Sequence, residues 1–224
     1  MWKIHQKNKR GKRNEAMQLQ CQDQTAGAAY EEYTAVALAD GSGKDDYAAK
    51  GAKAVVEIVS KLMARHFEEL YQMDIKGIKF NVVITMKKEL YQLCKQYQIS
   101  LQQLQSTLAA AVIDEKTGRY ILCHLGDGMI GGIVGQKQYI LSYPENGVNN
   151  RYTKTTISDE IMDAVRVQKG ENKELTKICL MSDGWTETAD QPEQMVTLCM
   201  TRNDEILDNM EMNDDISFVI MSAT

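Results

Sequence analysis

No apolar run in this sequence approaches the roughly 20 residues needed to cross a bilayer. The basic N-terminus also lacks the apolar stretch that marks a secretory signal. A cytoplasmic address with no membrane partner is therefore the default expectation. Cys-x-x-Cys pairs are missing. The five cysteines (Cys21, Cys94, Cys123, Cys179 and Cys199) are odd in number and widely spaced, which argues against a disulfide framework and against a structural zinc knuckle. Cys123 and Cys179 lie in apolar stretches, where cysteine behaves as a small hydrophobe, so these thiols are expected to be reduced core residues. Internal repeats, long linkers and low-complexity tracts are absent as well. The 224 residues thus read as one domain, 1–224, long enough to bury a core without staples.

What is present is an ordinary globular composition, 43% hydrophobic and 25% charged, within the usual range. The net charge of −5 is unevenly spread. Lys3, Lys7, Lys9, Arg10, Lys12 and Arg13 fall in the first 13 positions with no acidic residue among them, and the remainder has 20 basic against 31 acidic side chains. A basic arm of this kind can bind nucleic acid or acidic lipid, but short charge runs are more often solvated edge strands or termini. The acidic body is compatible with cation binding, and no nucleic-acid partner is expected.

Patterning gives the order of elements. Tyr33 to Ala39 is a continuous small and apolar run, expected to be a buried strand, which stops at Asp40-Gly41-Ser42-Gly43. Helical spacing follows at Ala48, Ala52, Val55, Val59, Leu62 and Met63. A second helix is expected from about Phe80 to Tyr97, with Val83, Ile84, Leu90, Leu93, Cys94 and Tyr97 on one face. Strand signals then run over 106–113, 120–125, 129–134 and 138–141, read as a meander of antiparallel hairpins. The polar, turn-rich stretch from residue 142 reads as a surface flap, extending over 142–175. A strand at 177–181, a helix at 192–207 begun by Pro192 and a last strand at 216–221 complete an α+β sandwich.

One pattern recurs. Four times an apolar strand meets aspartate at a turn: Ala39-Asp40-Gly41, Gly126-Asp127-Gly128, Ser182-Asp183-Gly184 and Asn213-Asp214-Asp215. A single Asp-Gly is ordinary turn chemistry. Four carboxylates brought to one end of a sandwich would repel one another unless cations lay between them, and hard oxygen ligands select Mg²⁺ or Mn²⁺ over zinc. Gly41-Ser42-Gly43-Lys44 imitates part of a phosphate loop, but position 38 is leucine and Asp45 replaces the required Ser/Thr. His66 reads as a helix residue, and His124 is a weak candidate for the site.

The segments Ala-Leu-Ala-Asp-Gly-Ser-Gly (37–43), His-Leu-Gly-Asp-Gly (124–128), Met-Ser-Asp-Gly-Trp (181–185) and Asp-Asp-Ile-Ser-Phe-Val-Ile (214–220) resemble the ordered motifs of PPM-type, protein phosphatase 2C-like phosphatases. Cys-Gln-Asp-Gln (21–24) and Tyr-Pro-Glu-Asn-Gly (143–147) are similar to segments of the short bacterial branch. The resemblance runs from about Gly11 to Ile220. It implies a four-layer α-β-β-α sandwich with two central, mainly antiparallel sheets. It also implies a metal-dependent serine/threonine phosphatase acting on phosphoproteins, expected as a monomer, with two Mg²⁺ or Mn²⁺ ions and a third, looser one. Asp40 would bridge the two metals and the Gly41 carbonyl would bind one. Asp183 and Asp214 would complete the first shell, Asp127 would hold the third ion, and Asp23 would support the site. Asp40, Asp183 and Asp214 would carry catalysis through a metal-activated water.

The sequence also departs from that family. Gln22 stands where many relatives have glutamate, and Ser42 where eukaryotic relatives carry a histidine proposed as general acid. Asn14 lies near a position where the short branch tends to have histidine, and Asp215 stands where asparagine is usual. Arg13 is the candidate for the phosphate-gripping arginine. These departures leave open a second reading, a catalytically silent binding module on the same sandwich.

Overall fold

The computed structural model describes residues 2–145 and 153–224. Ten strands form two five-stranded antiparallel sheets. The first has β1 (Trp2–Lys9) beside β10 (Ile216–Ala223), then β9 (Leu175–Met181), β6 (Met129–Val134) and β7 (Lys137–Ser142). The second runs β2 (Asp23–Tyr30), β3 (Tyr33–Asp40), β4 (Leu108–Asp114), β5 (Arg119–Leu125) and β8 (Arg166–Glu171). Helices α2 (Tyr47–Arg65) and α4 (Ile75–Tyr97) cover the second sheet, and α6 (Pro192–Asn209) covers the first. The short helices α1 (Lys12–Ala16), α3 (Phe67–Gln72) and α5 (Ile161–Ala164) are connectors. This is the expected α-β-β-α sandwich.

Three apolar layers hold it together, and strand alternation distributes side chains among them. On β3, Ala35, Ala37 and Ala39 face the helices while Val36 and Leu38 face the other sheet. On β10, Phe218 and Ile220 pack under α6 while Val219 and Met221 enter the layer between the sheets. Both faces of β3 are covered, which is why it reads as one unbroken apolar run. The alanines on its helix side let α2 lie close. The helix also packs against the 3₁₀ turn Leu101–Leu104, so closely that a Cβ added at Gly51 would lie 2.2 Å from the Leu104 carbonyl oxygen.

Several sequence expectations change. The hairpins β4–β5 and β6–β7 form as expected, but they do not make one meander, because the chain passes from the second sheet to the first through 126–128. On α4 the buried face is Ile78, Val82, Val83, Met86 and Leu90, so Ile84 points to solvent at 50% exposure. The helix also starts earlier, at Ile75, where the Asp74 carboxylate accepts from the Gly77 amide at 2.7 Å; this is an ordinary N-cap. The expected flap over 142–175 is interrupted by β8, which pairs with β5 from Arg119↔Glu171 to His124↔Arg166. Of that stretch, 146–152 lies outside the described residues.

The basic arm is the edge strand β1. It faces the acidic end of α6, where Lys7 Nζ is 2.5 Å from Asp208 and His5 is 3.1 Å from Asp204, and just beyond the two elements Lys12 of α1 pairs with Glu211. These exposed pairs contribute little individually, but they tie part of the charge run to the fold.

Gly51→Ala is expected to destabilise the protein by about 1–3 kcal/mol, since backbone meets backbone there and neither side chain can yield. Urea denaturation measures this. An unchanged midpoint would show that α2 does not need the close approach.

Candidate metal centre

Four segments deliver the aspartates to one end of the sandwich. Asp40 ends β3, Asp183 follows β9, Asp214 precedes β10 and Asp127 sits at the crossing between the sheets. All four line one cleft of about 530 Å³ with Gly41 and Arg13. Asp23, the first residue of β2, is paired across the ladder with Asp40 and lies fully buried behind it. The local geometry is tightly held. Thr107 Oγ accepts from the Asp40 amide at 2.9 Å, and the Thr107 amide donates to the Asp40 carbonyl at 2.9 Å. The Gly41 amide donates to Gln22 O at 3.2 Å, and a Cβ on Gly41 would lie 2.7 Å from the Ala48 carbonyl oxygen. Only glycine fits there.

The electrostatics follow from this crowding. Burial raises the Asp40 carboxyl well above its ordinary range, and the negative charges of Asp23, Asp183 and Asp214 raise it further. Asp183 is pushed up to about 7 by burial, then by Asp127, Asp23 and Asp214. Asp23 is also raised to about 7 by burial, with the Ser182 and Ser217 hydroxyls opposing the shift. Neither Asp23 carboxylate oxygen has a hydrogen-bond partner of ordinary geometry among the described residues. Unpartnered buried acceptors in an acid-lined cleft mark a place for positive charge.

The donor set fits a hard cation. It consists of carboxylates from separate strands and the Gly41 main chain, with no thiolate or imidazole, which suits Mg²⁺ or Mn²⁺ rather than zinc. Among the described residues no three acidic, histidine or cysteine side chains already converge as a ready metal cage.

The structure places the departing residues clearly. Asp215 does not line the cleft: its buried carboxylate accepts from Gly11 N at 2.7 Å, Asn14 Nδ2 at 2.8 Å and Gln22 N at 2.5 Å, while its charge helps to raise the Asp23 carboxyl. One side chain thus ties the Arg13-bearing α1 and the start of β2 to Asp214. Gln22 lines the same cleft, and its Nε2 donates to the carbonyls of Gly43 and Asp45. Ser42 is exposed on the loop. His124 is buried outside the cleft: Arg166 Nη2 lies 2.9 Å and Ser142 Oγ 2.8 Å from its Nδ1. Burial and then Arg166 lower its pKa to about 3, so it is a neutral imidazole. His66 joins α2 to α3 and lies 2.8 Å from Glu69. Thr107 and Thr153 were not foreseen. The Thr153 hydroxyl donates to Asp127, and both threonines line the cleft.

Asp215→Ala is expected to cost about 3 kcal/mol, because it strands three buried donors without an acceptor. Chemical denaturation measures it, and a loss under about 0.5 kcal/mol, the usual surface range, would contradict the clamp. Asp23 and Asp183 also predict a pH dependence in chelator. Each holds a proton more tightly folded than unfolded, so its stabilising contribution is complete below the ordinary carboxylate pKa and is lost as pH rises through about 7. The Tm of the metal-free protein should fall across that window, and a Tm that rises there would contradict the assignment.

Comparison with known proteins places this geometry. The family model for protein phosphatase 2C matches residues 10–217. No curated protein matches the sequence. Among solved structures, the serine/threonine phosphatase of S. agalactiae is similar at 15% identity with a TM-score of 0.69, covering 100% of both chains. The serine/threonine phosphatase Stp1 of Staphylococcus aureus is similar at 14% identity and a TM-score of 0.67, over 100% of this chain and 96% of that one. RsbX in complex with magnesium shares 14% identity at a TM-score of 0.57, over 100% and 94%. These likenesses show a common fold, and the match over 10–217 shows that this chain belongs to the protein phosphatase 2C family.

Proposed function

We propose that this chain is a protein serine/threonine phosphatase that hydrolyses phosphomonoesters at a binuclear Mg²⁺ or Mn²⁺ centre, with a third, looser ion. The observation that carries the reading is the convergence of Asp40, Asp127, Asp183 and Asp214 from both sheets on one cleft, in a chain of this family. When bound, the ions supply a water of lowered pKa and neutralise the phosphoryl oxygens. Asp40 feels Asp23, Asp183 and Asp214 together, which suits it to the bridging position between two cations. The Gly41 carbonyl is assigned to one ion, Asp183 and Asp214 to the same shell, and Asp127 to the outer ion. Asp23 supports Asp40 from the adjoining strand. Arg13, whose side chain has no ion-pair partner among the described residues, is assigned to grip the phosphoryl group, for which a planar fork of donors is suited.

Leaving-group protonation is assigned to solvent, since His124 is buried and neutral and Ser42 is a poor acid. The expected substrate is a phosphoserine- or phosphothreonine-bearing protein, met by a cytoplasmic monomer. No helix among the described residues is long and apolar enough to cross a membrane.

A catalytically silent module is the second reading. Its specific support is Gln22, whose amide is engaged by the Gly43 and Asp45 carbonyls rather than offered to an ion's water.

Mn²⁺-dependent turnover of p-nitrophenyl phosphate separates the two. Wild-type protein is expected to turn over and to stop in chelator, with Asp40→Asn losing at least about 100-fold in kcat, the scale of several kcal/mol of transition-state stabilisation. Absent turnover, or an undiminished Asp40→Asn, would favour the silent module.

A further inference from the structure

The Ser42-Gly43-Lys44 loop has no part in the chemistry above, yet Lys44 lines the same cleft as the aspartates. Its side chain is exposed and has neither ion pair nor hydrogen bond among the described residues. Two acidic residues follow it, but both are engaged elsewhere. Asp45 accepts from the Tyr47 amide at 2.9 Å and from Gln103 Nε2 at 3.0 Å, and Asp46 accepts from the Gln20 amide at 3.0 Å. Their carboxylates are held by neutral amide donors rather than by the lysine, so the Lys44 ammonium stands on the cleft wall without a direct ion-pair partner among the described residues.

Its placement is built. The carbonyls on either side of it, Gly43 O and Asp45 O, both accept from Gln22 Nε2 at 3.2 Å, and Ser42 N donates to Gln105 O at 3.1 Å. A glutamate at position 22 has no N–H and would repel both carbonyls. Gln22 is therefore the residue type that can pin this loop.

Charge balance indicates what Lys44 meets. Two divalent ions with a third, looser one would roughly balance the five aspartates of the site, so the floor offers little attraction beyond the phosphoryl group. Arg13 is assigned to that group. An exposed lysine is a mobile point charge, suited to reading the sign of a neighbour rather than its shape. We propose that Lys44 is a specificity-determining residue that favours phosphoserine or phosphothreonine segments with acidic side chains beside the phosphorylated residue. Gln22 is the positioning residue that holds it over the cleft. The inference rests on the phosphatase reading.

The test is binding, by fluorescence anisotropy on the Mn²⁺-loaded protein. Two peptides carry a non-hydrolysable phosphonate in place of phosphoserine and differ only in having Glu or Lys on either side. The wild type is expected to prefer the Glu peptide by about five-fold, the upper range for one exposed ion pair, with the preference fading as salt rises. Lys44→Glu should invert the preference, and Gln22→Glu should bring it toward unity. Equal binding of both peptides by the wild type, or a preference unmoved in Lys44→Glu, overturns the inference alone. A preference that Gln22→Glu leaves intact removes Gln22 from it. Binding of neither peptide overturns it together with the phosphatase reading.

Discussion

Repulsion among carboxylates is the constraint on which the site end of this molecule depends. Asp23, Asp40, Asp183 and Asp214 act on one another at one end of the sandwich, and no cationic side chain among the described residues figures in the shifts of Asp23, Asp40 or Asp183. Burying one unpaired charge is already unfavourable. Gathering several is stable only if protons or metal ions share the space. The rest of the sandwich serves to hold the strand ends in place against that repulsion, through three continuous apolar layers.

The contributing segments come from both sheets, so the layer between the sheets fixes how they face each other. Val36 and Leu38 of β3 meet Ile178 and Leu180 of β9 and Val219 of β10 in that layer; β3 ends at Asp40, Asp183 lies two residues past β9 and Asp214 two residues before β10. A slip of one residue in any of them would turn its aspartate to another face. Asp215 adds a second fastening. It binds α1 and β2 to the start of β10, so that Arg13, Asp23 and Asp214 share one rigid corner.

Much of this was legible in the sequence. Asp40, Asp127 and Asp183 were visible because an apolar run ending in Asp-Gly has a local meaning, that of a strand reaching a turn. Asp214 was visible from the apolar run that follows it. The long helix α2 is visible from its period, and α6 from Pro192 in its first turn. What escaped notice depends on contacts distant in sequence. Residues 126–128 look like a hairpin turn, and only packing shows that they cross from one sheet to the other. Asp214 and Asp215 look alike as neighbours, yet one lines the cleft and the other is buried among N–H donors. The strand β8 is polar, half-buried and at an edge, so its composition resembles the loop that precedes it. Ile84 misled for a related reason: α4 presents a stripe that sequence hydrophobicity alone places on the wrong side.

The central claim is that these aspartates form a cradle for metal ions. Anomalous diffraction at the manganese edge, from a crystal soaked in Mn²⁺, tests it most directly. The account predicts anomalous density against the Asp40 carboxylate, bounded by Asp183 and Asp214. Well-ordered carboxylates with no anomalous density between Asp40 and Asp183 would contradict it.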